Sequence, residues 1–281
     1  MKKIYGFNNR WTEDDVMFLK KFNIIISTES SGWFSIDADP VSVCIHDHFC
    51  DKKQHPYFRE HFHYEYSKED INSSEYCVLC SIRGKGYPLP TNDNWAWDEL
   101  YYDTSNFCRQ CGHSLIQTQD FRVTRSTRPT KHPFWTFFDG APQDVAFLTD
   151  ELYETLFKPL GLGCRPVRKA SGEIFEGILQ LDIPIIDEDL DLSMHEYEIC
   201  PVCGKKKYGG DQKYPFFPLH EHPLPHLYLS KEFFGYGMAA GRKMFISTEL
   251  AKVLLERKLI QDYALWPCRK NLAEYLKTIE Y

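Results

Sequence analysis

The sequence predicts an α+β fold in which a zinc-ribbon-like module adjoins a duplicated strand–helix–strand unit. Three observations carry that expectation. Cysteines recur as Cys-x-x-Cys pairs at Cys77/Cys80, Cys108/Cys111 and Cys200/Cys203, the spacing with which a tight turn offers two thiolates to one tetrahedral Zn2+. Residues 146–157 align without gaps on residues 244–255. From residue 131 onward, strand-like runs alternate with two helical patterns, the arrangement of a mixed core.

The 281 residues divide into three stretches. In an aromatic and histidine-rich module at 1–68, Thr12 is placed to cap a short helix that turns Val16, Leu19 and Phe22 inward. Residues 24–26 then read as a buried strand. Cys44, His46, His48 and Cys50 fit one face of an extended strand. Its outer two positions would lie roughly 20 Å apart, too far to share an ion. A ribbon-like module follows at 69–130, with Gly84, Gly86, Pro88, Pro90 and residues 92–94 as its turn-rich loop and strands at 114–119 and 121–124. The third stretch, 131–281, is the duplicated α/β domain, carrying the last Cys-x-x-Cys knuckle.

Within that domain each repeat opens with an apolar strand end and a hydroxyl helix cap, Thr149 in one and Ser247 in the other. Asp150, Glu151 and Glu249 suit the positive end of a helix dipole. Leu152/Leu156 and Leu250/Leu254 then mark the buried face at i, i+4. Strands at 164–167 and 263–266 are expected to close the two units.

Ten cysteines in a chain without an apolar leader point to a cytoplasmic protein whose cysteines bind metal rather than form disulfides. Gly112 and Gly204 directly follow the second and third pairs, where a knuckle needs a positive φ. The sequential reading joins Cys77/Cys80 to Cys108/Cys111 in one ribbon. Cys200/Cys203 then needs other ligands, for which His222 and His226 have a finger-like spacing, although Pro223 and Pro225 forbid the usual helix. The alternative joins Cys200/Cys203 to Cys108/Cys111 and leaves Cys77/Cys80 over. His-x-His pairs at His46/His48, His61/His63 and His220/His222 offer a second, weaker set of candidate ligands.

Charge and motifs exclude several classes. A net charge of −7 argues against a nucleic-acid binder, despite the basic stretch Arg122, Arg125, Arg128 and Lys131. No apolar run approaches the ~20 residues of a membrane span. There is no nucleophile elbow, phosphate-binding loop or His-Glu-x-x-His. The acidic run Asp187, Glu188, Asp189 and Asp191 reads as a solvated loop able to attract a basic partner, and residues 235–243 read as a glycine-rich hairpin tip. Aromatics make up 15% of the chain, and Trp95, Trp97, Tyr101, Tyr102, Phe216 and Phe217 lie in loop-like sequence, a composition suited to interface hot spots.

Each repeat has its own Cys-x-x-Cys-Gly upstream, at 108–112 and 200–204. With Glu232-Phe-Phe-Gly and the closing Met244-Phe-Ile-Ser-Thr-Glu-Leu, this organisation resembles the bacterial double-CxxCG family over about residues 100–270. The resemblance implies one four-thiolate site from Cys108, Cys111, Cys200 and Cys203. It further implies a non-enzymatic immunity protein whose partner is a toxin domain. Cys77/Cys80 and the first third depart from the family pattern. The competing expectation is a metal-dependent enzyme using His46, His48, His61 and His63 with Glu65.

Overall fold

A computed structural model describes residues 1–26, 31–50, 59–90, 96–124, 132–138, 144–210, 214–222 and 224–278. Residues 92–94, Trp95, Arg125, Arg128, Lys131 and Pro223 lie outside the described residues, as do the side chains of Cys50, His61 and Trp97. The chain forms two compact units, Met1–Asp70 with Gln212–Pro215, and Ile71–Asp211 with Phe216–Tyr281. Among the described residues no helix is long and apolar enough to cross a membrane.

In the first unit β1 (Lys2–Arg10) is the middle strand of an antiparallel sheet. Helix α1 (Glu13–Lys20) follows it, then β2 (Ser31–Asp37), α2 (Pro40–Cys50) and β3 (Arg59–Glu65), with β2 and β3 flanking β1. Helix α1 starts at Thr12 as expected. The Thr12 hydroxyl accepts from the Asp15 amide at 3.2 Å, and Asp15 accepts from the Thr12 amide at 2.9 Å, a reciprocal cap worth about 1 kcal/mol. Val16 and Leu19 are buried with Phe7, Trp11, Ile45 and Phe49, and Phe22 packs against that cluster.

Two expectations for this unit are corrected. Residues 24–26 form no strand, and Ile25 is 87% exposed. Asn23, at φ +60°, turns the chain out of the helix there, and β1 supplies the sheet's middle strand instead. Residues 44–50 are helical, not extended. The Ser42 amide donates to Asp39 at 2.8 Å and the Asp39 amide to Ser42 at 3.0 Å. Pro40 suits the first helical position. That local cap outweighs the alternating Cys and His pattern.

The short helix α3 (Lys68–Asn72) precedes β4 (Tyr76–Leu79), helix α4 (Ala96–Tyr101) and a hairpin of β5 (Tyr102–Asp103) and β6 (Ile116–Gln117). Then come β7 (Arg122–Val123), β8 (Phe134–Trp135), β9 (Phe147–Leu148), α5 (Asp150–Leu152), β10 (Gly163–Lys169) and β11 (Ile174–Asp182). A second hairpin, β12 (Tyr197–Ile199) and β13 (Lys206–Tyr208), is followed by β14 (Phe217–Pro218), β15 (Leu227–Leu229), β16 (Met244–Ser247), α6 (Thr248–Glu256), β17 (Leu265–Arg269) and α7 (Leu272–Leu276).

Two five-stranded sheets order these strands as β7-β10-β11-β9-β8 and β14-β17-β4-β16-β15. Position by position they share pairing senses. The pairs β7·β10 and β14·β17 are parallel, and the rest are antiparallel. Only the source of the middle strand differs, because β11 follows β10 in the chain whereas β4 comes from the N-terminal side. Ahead of the helix, Thr149 and Ser247 accept from the Leu152 and Leu250 amides, each at 3.3 Å. The first helix then loosens into a π turn and a 3-10 turn containing Pro159, which has no N–H to continue the ladder. The second runs on regularly as α6. Each sheet has its own core, around Phe121, Trp135 and Phe147 in one and Phe217, Tyr228 and Phe245 in the other. Each such ring contributes on the order of 2 kcal/mol through burial.

The expected ribbon at 69–130 does not close on itself. Cys77, Val78 and Leu79 in β4 are buried and pair with β16 and β17 on both edges, while β7 pairs with β10. With both backbone edges paired to strands from beyond residue 243, β4 is the middle strand of the second sheet, so the segments 69–130 and 131–281 interleave.

Candidate metal centre

Both knuckles are the tips of hairpins, 108–112 between β5 and β6 and 200–204 between β12 and β13. They carry the same two backbone bonds. The Cys108 amide donates to the His113 carbonyl at 3.1 Å and the Gly112 amide to the Cys108 carbonyl at 2.7 Å. Correspondingly, the Cys200 amide donates to Lys205 at 3.0 Å and the Gly204 amide to Cys200 at 2.9 Å. Gly112 and Gly204 have φ of +73° and +69°, the left-handed backbone that favours glycine.

The hairpins bring Cys108, Cys111, Cys200 and Cys203 together, with all four sulfurs within 4.8 Å of one another. First cysteine faces first cysteine and second faces second, with Sγ–Sγ separations of 3.7 Å for Cys108/Cys200 and for Cys111/Cys203. A disulfide needs about 2.05 Å. Four thiolates about 2.3 Å from a tetrahedral ion lie about 3.8 Å apart. The donor set and its spacing therefore fit a bound metal ion. Cys108, Cys111 and Cys200 are buried.

Electrostatics around the cluster fall into two classes. Backbone amides of Cys203 and Val202 pull the Cys200 thiol down to about 6, toward the thiolate form. Burial pushes Cys111 up to about 12, and a cation is what would deprotonate it. Cations also surround the site. Lys207, 3% exposed, donates to the carbonyls of Cys111 at 3.0 Å, Ala239 at 3.1 Å and Gly237. Lys205 donates to the Ser114 hydroxyl at 2.7 Å. Such charges would offset the negative charge of four thiolates around a divalent ion. His113 is held down to about 4 by burial and then by Lys205, Arg242 and Lys207, and its ring lies 4.0 Å from that of Phe233.

The remaining candidate ligands lie elsewhere. Cys77 is buried in β4, where burial pushes its thiol up to about 12. Cys80, just past the strand, donates to the Ala264 carbonyl at 3.1 Å. Three residues apart on an extended strand, the two point to opposite faces, so the sequential pairing of Cys77/Cys80 with Cys108/Cys111 is replaced by the pairing across the two hairpins. His46 lies 3.1 Å from Asp47, and the His48 ring stacks on Phe18 at 3.6 Å. Two residues apart on a helix, these imidazoles diverge by ~200°. His63 and Glu65 sit on β3, opposite Ile4 and Lys2. His220 is buried between the Tyr228 hydroxyl at 3.1 Å and the Glu188 carbonyl at 3.0 Å, and His226 meets the Ser247 hydroxyl at 2.8 Å. Among the described residues the four cysteines alone form a cluster of three or more metal-ligating side chains.

Two other sequence features take on structural roles. In the acidic run Leu190 and Leu192 are buried, and Lys231 pairs with Asp187 at 3.2 Å and Asp189 at 3.1 Å. The glycine-rich segment supplies the carbonyls of Gly237 and Ala239 that hold Lys207. Lys207 was not legible beforehand, since nothing in Lys205-Lys206-Lys207 distinguishes the third lysine. Comparison of the chain with family models, with curated protein sequences and with solved structures returned no match in any of the three.

Proposed function

We propose that the protein is a zinc-stabilised, non-enzymatic binding protein that neutralises a bacterial toxin by stoichiometric association. The observation that carries this reading is the convergence of two Cys-x-x-Cys-Gly knuckles on one four-sulfur site. A soft, four-thiolate tetrahedral set selects zinc among common divalent ions. Four protein ligands also fill the coordination shell and leave no position for an activated water. In this reading the metal joins two hairpins and holds the surface around them in shape.

The two knuckles belong to two copies of one ancestral unit. Support comes from the matched strand order and pairing senses of the two sheets, the matched hydroxyl caps at Thr149 and Ser247, and the equal sulfur separations expected of a pseudo-twofold site. The resemblance to the double-CxxCG family, a net charge of −7 and the exposed apolar side chains of Tyr197, Ile199 and Val202 favour a protein partner carrying basic charge.

The test is co-expression with toxins encoded beside the gene, followed by titration of toxin activity with the purified chain. Inhibition is expected to saturate at a fixed molar ratio, and association to slow as salt rises. Turnover of a small molecule, lost on changing His46 or His63, would instead establish the metalloenzyme.

A further inference from the structure

We propose that the outer edge of β12 is a strand-addition site for an extended protein segment that alternates apolar and basic residues. This rests on the reading of the chain as a protein binder, but not on what its partner does. Hydrogen-bond parity in the second hairpin decides which backbone groups face outward. The Cys200 amide donates to Lys205 at 3.0 Å, the Gly209 amide donates to Glu196 at 3.2 Å, and Glu198 sits opposite Lys207 between them. Bonded and non-bonded pairs alternate along an antiparallel ladder. Positions 196, 198 and 200 therefore bond toward β13, while Tyr197 and Ile199 turn both N–H and C=O away from it.

Among the described residues no strand pairs with that edge, since β12 and β13 form a two-stranded sheet. The far side of β13 is engaged instead. The Tyr208 amide donates to Phe233 and the Gly235 amide to Tyr208, each at 2.9 Å. An open edge beside exposed apolar side chains is a template for another strand.

The side chains specify what that strand must carry. Tyr197 and Ile199, 52% and 61% exposed, share one face of the hairpin, and Val202, 72% exposed, extends the apolar surface at its tip. Glu196 and Glu198, both exposed, share the other face. Directly opposed residues on an added strand lie on the same faces. Apolar side chains then meet Tyr197 and Ile199, and Lys or Arg meets the two glutamates. A second copy of this chain is a poor occupant. The antiparallel registers that set Tyr197 against itself or against Ile199 also set Glu198 against Glu196 or against itself, and like charges directly opposite destabilise; the register that sets Ile199 against itself places Pro201, which has no N–H, opposite Tyr197.

The probe is a fluorescein-labelled peptide of alternating Lys and Val, titrated with the full zinc-loaded chain. Its controls are a block-ordered peptide of the same composition and an alternating Glu-Val peptide. The Lys-Val peptide is expected to bind at least about tenfold more tightly than either control and to slow hydrogen exchange at the Tyr197 and Ile199 amides. Ile199→Pro removes an outward N–H and no hairpin bond, so it is expected to abolish binding while zinc content is retained. Should that variant misfold, Glu196→Lys with Glu198→Lys decides the matter, because it is expected to transfer the preference to the Glu-Val peptide. Equal binding of the block-ordered peptide, or an unchanged preference in the double variant, overturns the proposal. So does a dimer of the free chain that Ile199→Pro dissociates, since the edge then belongs to a second copy. If the peptide fails to bind while the chain still inhibits a toxin at a fixed ratio, strand addition is wrong and the binder reading stands.

Discussion

The two knuckles share a motif and a backbone path but not surroundings. A Cβ at Gly112 would lie 2.1 Å from the Met238 carbonyl, and the Cys111 carbonyl next to it is held by the buried Lys207. Among the described residues, its own chain neighbours aside, nothing lies within 4 Å of a Cβ built at Gly204, and Val202 close by is 72% exposed. Tyr102 at the base of the first hairpin is buried, whereas all three residues of β12 are exposed. One knuckle is wedged into the fold and the other is presented to solvent, with the four-sulfur site joining them. Identical local motifs therefore have different tolerances, set by what packs against them.

Mutations sharpen this contrast in a definite order. Cys108→Ser and Cys200→Ser are expected to be equally severe despite the different surroundings of their knuckles, because in the proposed site the two sulfurs share one ion. A structural zinc site contributes on the order of 10 kcal/mol. Each change should remove most bound metal and lower Tm by roughly 10 °C or more, read by elemental analysis and calorimetry. Unequal losses would mean that the two hairpins do not share the metal.

Next comes the glycine pair. Gly112→Ala carries the positive-φ penalty and also a collision with a backbone carbonyl, and is expected to cost about 3 kcal/mol or more. Gly204→Ala carries the φ penalty alone, about 1 kcal/mol. Urea denaturation of the two variants reads the difference directly, and equal costs would contradict the wedged position of the first knuckle.

Lys207→Met follows in size. It leaves three carbonyls without their donor and removes a cation beside the thiolates, at a cost of roughly 2–3 kcal/mol. Its expected signature is weaker metal retention in a chelator competition as well as lower stability. Val202→Ser, on the open knuckle, is expected to change stability by no more than ~0.5 kcal/mol. A large loss there would show that this knuckle is covered.

Sequence reasoning succeeded where chemistry is local. The Thr12, Thr149 and Ser247 caps, the Cys-x-x-Cys-Gly turns with positive φ, and the strand–helix–strand order at 147–169 and again at 244–269 all depend on neighbours within a few residues. It misplaced what depends on long-range pairing. Cys77/Cys80 has the spacing of a knuckle, yet Cys77 lies in β4, whose two edges pair with strands more than 150 residues away and three of whose four residues are buried. The segment at 44–50 alternates like a strand, but the cap formed by Asp39, Pro40 and Ser42 a few residues upstream makes it a helix. The choice between two ways of sharing the cysteines was open in the spacing alone. It was resolved by which hairpins meet.

The central claim is that one metal ion joins the two hairpins, and thiol mapping coupled to metal analysis tests it most directly. The purified chain should carry one zinc. Cys108, Cys111, Cys200 and Cys203 should resist alkylation until a chelator removes the ion, and then react together as the zinc is lost. A folded chain without metal whose four cysteines alkylate freely, or zinc release that uncovers Cys77 and Cys80 instead, would contradict it.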